Sequence, residues 1–285
     1  MQGIIYKSQV VEMAELNNLF IEMTSNNCNQ RCKNCYIDFP MYKKQSDFID
    51  IDVVKQALND TIGENIKCIY LSGAEPMTHP DFNSILRLCL KRKDVCIFTN
   101  GSFINEKKAR FLKKVEGESS NEIIFKISID HYDEIKNDDV RYRGAFRHGI
   151  FAVKHLKKYD FNVIISLMNY YNLSECEIYD GFKAVFKRYD LNIDELNFQI
   201  VPFCNKKEVI SDMNISSVKN FDCSNSRILS KSGIYCCPFL SNDFRGRCGS
   251  SFADYNKKIS IETEFCTACA KTSHPLFSVD FSSFE

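Results

Sequence analysis

The chain has 285 residues, of which 37 are Lys or Arg and 37 are Asp or Glu, so its formal net charge is zero. The balanced charge and the short basic runs argue against a nucleic-acid groove or attachment to an anionic membrane surface. No apolar stretch approaches the length of a bilayer span, and residues 1–7 lack the layout of a signal peptide. We therefore expect a cytoplasmic protein whose 14 Cys residues are metal ligands or small core side chains, and not disulfides.

Strand-like apolar runs alternate with helical patterns from residue 19 to residue 203. The predicted strands cover residues 19–24, 66–71, 95–99, 123–129, 161–167 and 196–203. The predicted helices cover residues 51–62, 82–91, 105–114, 145–158 and 178–189. Such alternation is typical of βαβ units around a parallel sheet. The sequence therefore predicts an α/β fold in which six strands form a partial, open barrel.

The alternation stops after residue 203, and the rest of the chain is richer in Ser, Asn and Cys. This change predicts three regions: an N-terminal extension over 1–18, the partial barrel over 19–203, and a small Cys-rich domain over 204–285. Within the last region, residues 227–237 have the pattern of a hairpin. Because little periodic apolar sequence remains there, we expect a metal to stabilise it.

Cys28, Cys32 and Cys35 follow the first predicted strand with C-x3-C-x2-C spacing, and Tyr36 comes directly after them. Three thiolates on one short loop can hold three irons of a cubane cluster, which leaves the fourth iron open to another ligand. The alternative is a structural zinc site, but zinc normally takes four ligands and no fourth lies nearby in the sequence. The spacing therefore favours a reactive iron–sulfur site.

A second motif, Ser72-Gly73-Ala74-Glu75-Pro76, follows the second predicted strand. Together with the Cys motif, this GGEP-like turn resembles the radical S-adenosylmethionine (SAM) superfamily, over about residues 19–203. The resemblance implies a TIM-like partial barrel, a [4Fe–4S] cluster and SAM. In that family one electron from the cluster cleaves SAM to methionine and a 5′-deoxyadenosyl radical, which removes a hydrogen atom from the substrate. A reductant such as flavodoxin or ferredoxin would supply the electron.

The resemblance also assigns roles to residues. The three Cys of the loop would ligate the cluster, and Gly73, Ala74 and Glu75 would surround the methionine amine of SAM. Glu75 would be the charge partner of that amine. The alternative for Glu75 is a solvated turn residue that precedes a proline.

Four further residues are expected in the same pocket. Tyr36 would lie near the adenine, and Ser128 and Asp130 would reach the ribose hydroxyls or the carboxylate. Asn100, one strand earlier, is a candidate for the same role. The alternative for Ser128 and Asp130 is a strand end that caps the next segment. Arg143 lies where related enzymes often have an Arg-Gly pair, and it is either a carboxylate ligand or a surface residue.

The C-terminal cysteines form an ordered set, with seven Cys from residue 204 to residue 269. A Cys, a Gly-containing hairpin that ends in Cys and a later CxxC motif resemble the SPASM and twitch extensions of radical SAM enzymes. This resemblance implies one auxiliary [4Fe–4S] cluster. Cys236 and Cys248 stay open as alternative ligands, and a four-Cys zinc ribbon stays open as an alternative site. The ligands that the resemblance implies are Cys223, Cys237, Cys266 and Cys269. Four other cysteines lie in or beside apolar runs and are expected to be inert core side chains: Cys68, Cys89, Cys96 and Cys176.

An auxiliary cluster beside a radical site can accept an electron from a substrate radical, so we expect an oxidative reaction. The substrate is a ribosomal peptide, as in many SPASM maturases, or a small polar molecule such as an aminocyclitol, as in twitch dehydrogenases. Only 18 residues precede the first predicted strand, fewer than a leader-binding domain needs. That length favours a small substrate or a separately encoded leader binder. A non-catalytic iron–sulfur or zinc scaffold is the alternative in another class.

Overall fold

The computed structural model describes residues 9–37, 47–203, 222–261, 265, 266, 269, 272 and 274–279. Cys204, where the Cys-rich domain is predicted to begin, lies outside the described residues. Within them, no helix is both long enough and apolar enough to span a membrane.

All six predicted strands are present, with ends that differ from the prediction by no more than a few residues. They are β2 Asn18–Glu22, β3 Cys68–Ser72, β4 Asp94–Thr99, β5 Ile123–Ser128, β6 Asn162–Asn169 and β7 Asn197–Pro202. Strands β2 and β3 are buried along their whole length. Strands covered on both faces read as continuous apolar runs, which is why the sequence pattern located them so closely.

The five predicted helices are also present, and a sixth was missed. The helices are α1 Ile51–Asp60, α2 Phe82–Leu90, α3 Glu106–Glu116, α4 Glu134–Val140, α5 Ala145–Lys157 and α6 Glu175–Arg188. The missed helix is α4, in which only Asn137 and Val140 are buried and Ile135 is exposed. Because α4 has no apolar stripe, hydrophobic periodicity could not indicate it.

The prediction also began α6 three residues late. Ser174 accepts a hydrogen bond from the backbone N–H of Glu177, and the Glu177 side chain bonds back to Ser174. This capping box marks the start of the helix in the sequence itself.

The six strands β2 to β7 run parallel and lie side by side in chain order. Strand β7 is at one edge of the sheet, so the barrel is open on that side. The predicted fold of a parallel, partial barrel is therefore confirmed. Because parallel strands place their carboxyl ends at one edge of the sheet, the loops that follow β2 to β5 meet on one side of the molecule.

The Cys-rich region continues this sheet on the other side. Strand β8, Ser226–Ser230, pairs parallel with β2, and β9, Gly233–Tyr235, forms the predicted hairpin with β8. Two more antiparallel strands follow, β10 Arg247–Ser251 and β11 Asp254–Tyr255.

Two short strands, β1 Gln9–Glu12 and β12 Lys258–Ile261, form a separate antiparallel pair. Backbone hydrogen bonds thus join β8 to β2 of the barrel, and β12 to β1 near the start of the described chain. The boundaries of the three predicted regions stay a prediction.

Candidate active site

Every residue that the sequence assigned to the first site lies around one cavity at the carboxyl ends of β2 to β5. We call it the first Cys cavity. The ten residues are Cys28, Cys32, Cys35, Tyr36, Gly73, Ala74, Glu75, Asn100, Ser128 and Asp130. These residues come from four separate loops and strand ends, and the first and last of them are about a hundred residues apart in the chain. Their convergence follows from the parallel order of the strands.

The Cys loop begins where β2 ends and is braced from two sides. Thr24 Oγ1 accepts a hydrogen bond from the Asn27 N–H at 3.1 Å, which turns the chain after the strand. Farther along, the Lys33 N–H donates to the carbonyl of Val140 at 2.7 Å, at the end of α4. The missed helix α4 therefore supports the loop that carries the three cysteines.

The surroundings of Cys28 fit a sulfur that ligates a cluster. The Gln30 N–H and the Asn100 amide donate to Cys28 Sγ at 3.3 and 3.7 Å. Burial raises the pKa of the Cys28 thiol to about 11, and the nearby charges of Glu75, Cys32 and Cys35 act in the same direction. A bound cluster supplies the positive irons that three neighbouring thiolates need, and sulfur is the ligand that iron–sulfur clusters use.

The described residues include no group of three His, Cys, Asp or Glu side chains that could hold one metal ion. Ligands of a single zinc ion must converge on one point about 2.3 Å from each sulfur. In a cubane each Cys binds a different iron, so its ligands need not converge in this way. The three half-buried cysteines are compatible with that looser arrangement.

The turn after β3 requires a glycine at position 73. Gly73 has φ +117°, and a Cβ atom there would lie 2.4 Å from the carbonyl oxygen of Thr24. The neighbouring Ala74 N–H donates to that same oxygen at 2.8 Å. Ser72, which departs from the GGEP pattern, is the last residue of β3 and is not among the positive-φ positions. The substitution therefore falls where the backbone does not require glycine.

Glu75 is buried, with 1% of its surface exposed, so the alternative of a solvated turn residue is wrong. Its carboxylate accepts hydrogen bonds from the Met77 N–H at 3.1 Å, the Thr99 hydroxyl at 2.9 Å and the Asn100 N–H at 2.9 Å. Burial nevertheless raises the pKa of Glu75 to about 7. A cationic ligand beside this carboxyl would favour its charged form.

Asp130 is fully engaged by protein groups. Its carboxylate accepts from Arg141 Nη1 at 2.7 Å, from the Asn34 amide at 3.0 Å and from the Met168 N–H at 2.9 Å. Burial alone would lower the pKa of Arg141, but the charges of Asp130 and Cys32 raise it above its usual value. The site therefore holds a permanent cation next to Cys32.

Sequence reasoning missed Arg141 and considered Arg143 in its place. Arg143 is exposed, whereas Arg141 lines the first Cys cavity. The Arg141 side chain is placed by the end of α4, and that helix has no hydrophobic pattern. Lys126, on β5, also lines the cavity and was missed because it lies within an apolar strand.

Five of the described C-terminal cysteines surround a second Cys cavity, which is mostly apolar. Burial raises the pKa of Cys223 and Cys269 well above the usual value, and charges among the four predicted ligands add to the shift. Cys248 does not line this cavity. The Cys and aromatic residues around the cavity are Cys223, Cys236, Cys237, Cys266, Cys269, Phe239, Phe265 and Phe277.

Three of the four cysteines that were expected in the core are there: Cys68, Cys89 and Cys96 are buried. The expectation for Cys176 is wrong, because this residue is exposed. Cys176 lies in the first turn of α6, and the buried residues of that helix begin at Ile178.

A family model described as the Radical SAM superfamily matches residues 23–185. Among solved structures, native anSMEcpe with bound AdoMet aligns with a TM-score of 0.60 and 15% identity, covering 84% of this chain and 78% of that chain. A second anSMEcpe structure, with AdoMet and the Cp18Cys peptide, has a TM-score of 0.60 and 16% identity, with the same coverage. SuiB from Streptococcus suis, bound to the precursor peptide SuiA, has a TM-score of 0.61 and 12% identity, covering 86% of this chain and 64% of that chain.

No curated protein sequence matches the chain significantly. At these identities the solved structures support the fold alone, but the family model covers more than half of the 285 residues. The protein is therefore an enzyme that belongs to the radical SAM superfamily, whose members use a [4Fe–4S] cluster and S-adenosylmethionine.

Proposed function

We propose that this protein is a radical SAM oxidoreductase that oxidatively modifies a ribosomal peptide. One observation carries the proposal: the Cys loop, the glycine turn, Glu75 and the strand-end polar groups line a single cavity. A scaffold protein has no need of this set of polar groups beside its cysteines. When bound, the cluster and SAM would supply a 5′-deoxyadenosyl radical, which removes a substrate hydrogen atom.

The residues of the first Cys cavity divide between cluster and nucleotide. Cys28, Cys32 and Cys35 would ligate the cluster. Gly73 and Ala74 would lie beside the methionine amine, and the buried Glu75 would accept a hydrogen bond from that amine.

Polar and aromatic groups on the other strands would hold the rest of SAM. Because Asp130 is engaged by Arg141, we propose that Asp130 acts through it, and that the guanidinium binds the carboxylate of SAM. Ser128 and Asn100 would hydrogen-bond to the ribose hydroxyls, and Tyr36 would lie near the adenine.

The second Cys cavity supports an auxiliary cluster as the electron acceptor. Cys237 is favoured over Cys248 as a ligand because Cys237 lines this cavity and Cys248 does not, and Cys236, which also lines it, stays the alternative. Loss of an electron and a proton by the substrate radical would then complete a two-electron oxidation. A buried, mostly apolar site suits a cluster that must be kept from water.

A groove outside the barrel favours a peptide over a small molecule. It follows β7 and α6, has a volume of about 1160 Å³, and extends to Pro275 and Ser278 beside the wall of the first Cys cavity. Tyr170, Tyr179 and Phe203 line it, and aromatic groups of this kind bind extended peptides. One of the two anSMEcpe structures cited above contains the Cp18Cys peptide, and the SuiB structure contains the precursor peptide SuiA.

The test starts with anaerobically reconstituted protein. We expect about eight irons per chain, as two cubane clusters require, and 5′-deoxyadenosine after reduction with dithionite in the presence of SAM. About four irons would remove the auxiliary cluster from the proposal. Intact SAM, or zinc in place of iron, would overturn the radical reaction itself.

The substrate class is tested with the products of neighbouring genes. A short peptide encoded beside this gene should lose about two mass units, or gain an internal cross-link, when it is coexpressed with the enzyme. Turnover of a sugar or aminocyclitol, with no change in any neighbouring peptide, would show that the substrate is a small molecule.

A further inference from the structure

Residues 275–279, which we call the latch segment, lie inside the barrel between the two Cys cavities. Leu276, Phe277 and Ser278 are all buried. Leu276 and Phe277 line the first Cys cavity, and Phe277 also lines the second. The phenyl rings of Phe277 and Phe239, which both line the two cavities, therefore lie between the two places where we expect the clusters.

A buried carboxylate holds the backbone N–H groups of the latch segment. Asp222 accepts from the N–H groups of Leu276, Phe277 and Ser278 at 2.8, 3.0 and 2.8 Å. It also accepts from the Ser278 hydroxyl at 2.6 Å. Four hydrogen bonds to one carboxylate, which is 3% exposed, are more than a chance surface contact supplies.

The carbonyl groups of the segment meet a buried cation. Lys126 Nζ donates to the carbonyls of Leu276 and Phe277 at 3.3 and 3.1 Å. Burial lowers the pKa of Lys126 to about 8, while the charge of Asp222 acts in the opposite direction. The backbone of the latch segment thus lies between the Lys126 ammonium and the Asp222 carboxylate. Its carbonyl and N–H groups give both buried charges hydrogen-bond partners.

Two neutral side chains complete the attachment. The Gln199 amide donates to the carbonyls of Pro275, Leu276 and Ser278 at 2.8, 3.1 and 3.3 Å. At the other end, the Tyr70 hydroxyl accepts from the Val279 N–H at 3.0 Å. Strands β3, β5 and β7 therefore all contribute a side chain to the position of this segment.

We infer that the latch segment is a positioned wall of the SAM and substrate pocket, and that Phe277 limits the size of the substrate group that reaches the radical. Lys126, Gln199 and Asp222 are its positioning residues. The inference rests on the proposed function of the first Cys cavity. It adds a specificity-determining residue from the C-terminal region, far in sequence from the Cys loop.

Phe277→Ala tests the wall, since it should leave a hole the size of a phenyl ring beside the radical. Apolar cavities of this kind bind small aromatic molecules, so the probe is toluene with a deuterated methyl group. The 5′-deoxyadenosyl radical would take a deuterium atom from the methyl carbon and leave a benzyl radical. Dithionite supplies the electron that cleaves SAM.

The readout is the fraction of 5′-deoxyadenosine that carries deuterium. We expect this fraction to be at least about tenfold higher in Phe277→Ala than in the wild type, and intermediate in Phe277→Leu. Phe186→Ala is the matched control, because Phe186 is fully buried but does not line either Cys cavity. Equal label in Phe277→Ala, Phe186→Ala and wild type would overturn the role of Phe277. A wild type that forms no 5′-deoxyadenosine would instead overturn the proposed function.

Lys126→Met tests the positioning without any turnover. Loss of two charge-assisted hydrogen bonds should speed hydrogen exchange of the amides of residues 276–279 by about tenfold or more. Lys126→Arg should restore part of the protection. The control is Lys108→Met, which removes a half-buried lysine that contacts Asn83 and the Phe82 ring. Unchanged exchange in Lys126→Met would show that Lys126 does not hold the latch segment, whether or not SAM is cleaved.

Discussion

Both Cys cavities are lined by cysteines, but the other side chains around them are polar in the first cavity and mostly apolar in the second. The first has polar groups on every side, among them Glu75, Asn100 and Arg141. The second is lined mostly by Cys, Phe, Leu and Ile. Burial raises the pKa of cysteines in both, so burial does not distinguish them. The difference is what surrounds the sulfurs: polar and charged side chains in the first cavity, and mostly apolar side chains in the second.

This difference follows from where each cavity lies. The first lies at the carboxyl ends of parallel strands, where the loops and strand ends bring polar side chains together. The second lies between the β8–β9 hairpin and the latch segment, where Phe239 stacks on Phe265 with ring centroids 5.0 Å apart. Phe239 also contacts Tyr36 from the Cys loop, at 5.4 Å. Aromatic rings thus separate the polar cavity from the mostly apolar one.

The largest expected effect tests whether the cysteines of the two cavities have separate roles. We expect Cys32→Ala to abolish 5′-deoxyadenosine formation, because it removes a proposed ligand of the cluster that would bind SAM. Cys269→Ala should leave some uncoupled SAM cleavage while it stops substrate turnover. Both are measured anaerobically by chromatography of the nucleoside product. Equal and complete loss in the two variants would contradict separate roles.

A glycine exchange tests whether the turn of the first cavity is as constrained as its geometry indicates. Gly73→Ala would place a methyl group against Thr24 O, so it should lower the free energy of unfolding by about 3 kcal/mol and abolish SAM binding. In Gly63→Ala the new methyl group would have no neighbour within 4 Å, so its effect should stay within about 0.5 kcal/mol. Urea unfolding and equilibrium dialysis with SAM measure the two effects. Similar behaviour of both variants would argue against a strained turn.

Glu75→Gln sharpens the distinction between a ligand-binding cavity and a metal-binding one. Loss of a charged hydrogen-bond acceptor should raise the Kd for SAM about 10- to 100-fold, since such bonds contribute about 1.5–3 kcal/mol. Iron content of the reconstituted protein should not change. Glu118→Gln, which removes an exposed carboxylate paired with Arg87, is the control for the loss of one surface charge. An unchanged Kd in Glu75→Gln would remove Glu75 from the binding site.

The smallest expected effect is on pH dependence without SAM. Burial raises the pKa of Glu75 from 4.5 to about 7 in the folded protein, so the folded state binds this proton more tightly than the unfolded state. Its contribution to stability is fully present below the unfolded pKa and is lost as pH rises through 7. Between pH 6 and pH 8 the wild type should lose about 1 kcal/mol relative to Glu75→Gln. Parallel pH profiles for the two proteins would show that the carboxyl titrates normally.

The sequence predicted the barrel and the members of the first site because both depend on local signals. A parallel strand that is buried on both faces has a continuous apolar sequence, as residues 68–71 do, so the sequence indicates the strand. Spacing within one loop predicted Cys28, Cys32 and Cys35, and strand ends predicted Asn100 and Asp130. Because the strands run parallel, residues that follow their carboxyl ends lie at the same edge of the sheet.

Three features could not be predicted in this way. Arg141 depends on α4, a helix with almost no apolar face. Cys176 was expected in the core because it lies beside an apolar run, but it falls in the first turn of α6, before the buried residues of that helix begin at Ile178. In the sequence, Lys126 is only a charged residue within an apolar strand. Its role depends on hydrogen bonds to the carbonyls of Leu276 and Phe277, which are more than a hundred residues away in the chain.

Sequence by itself therefore determined the six strands, the open parallel barrel and which short motifs lie at the carboxyl ends of the strands, since these rest on periodicity and spacing over a few residues. Tertiary structure alone decided what surrounds each motif: the Asp130–Arg141 pair beside the Cys loop, and the latch segment held between Lys126 and Asp222. Such contacts join distant parts of the chain, and their free energy depends on burial and on three-dimensional charge pairing. No local pattern in the chain records those quantities.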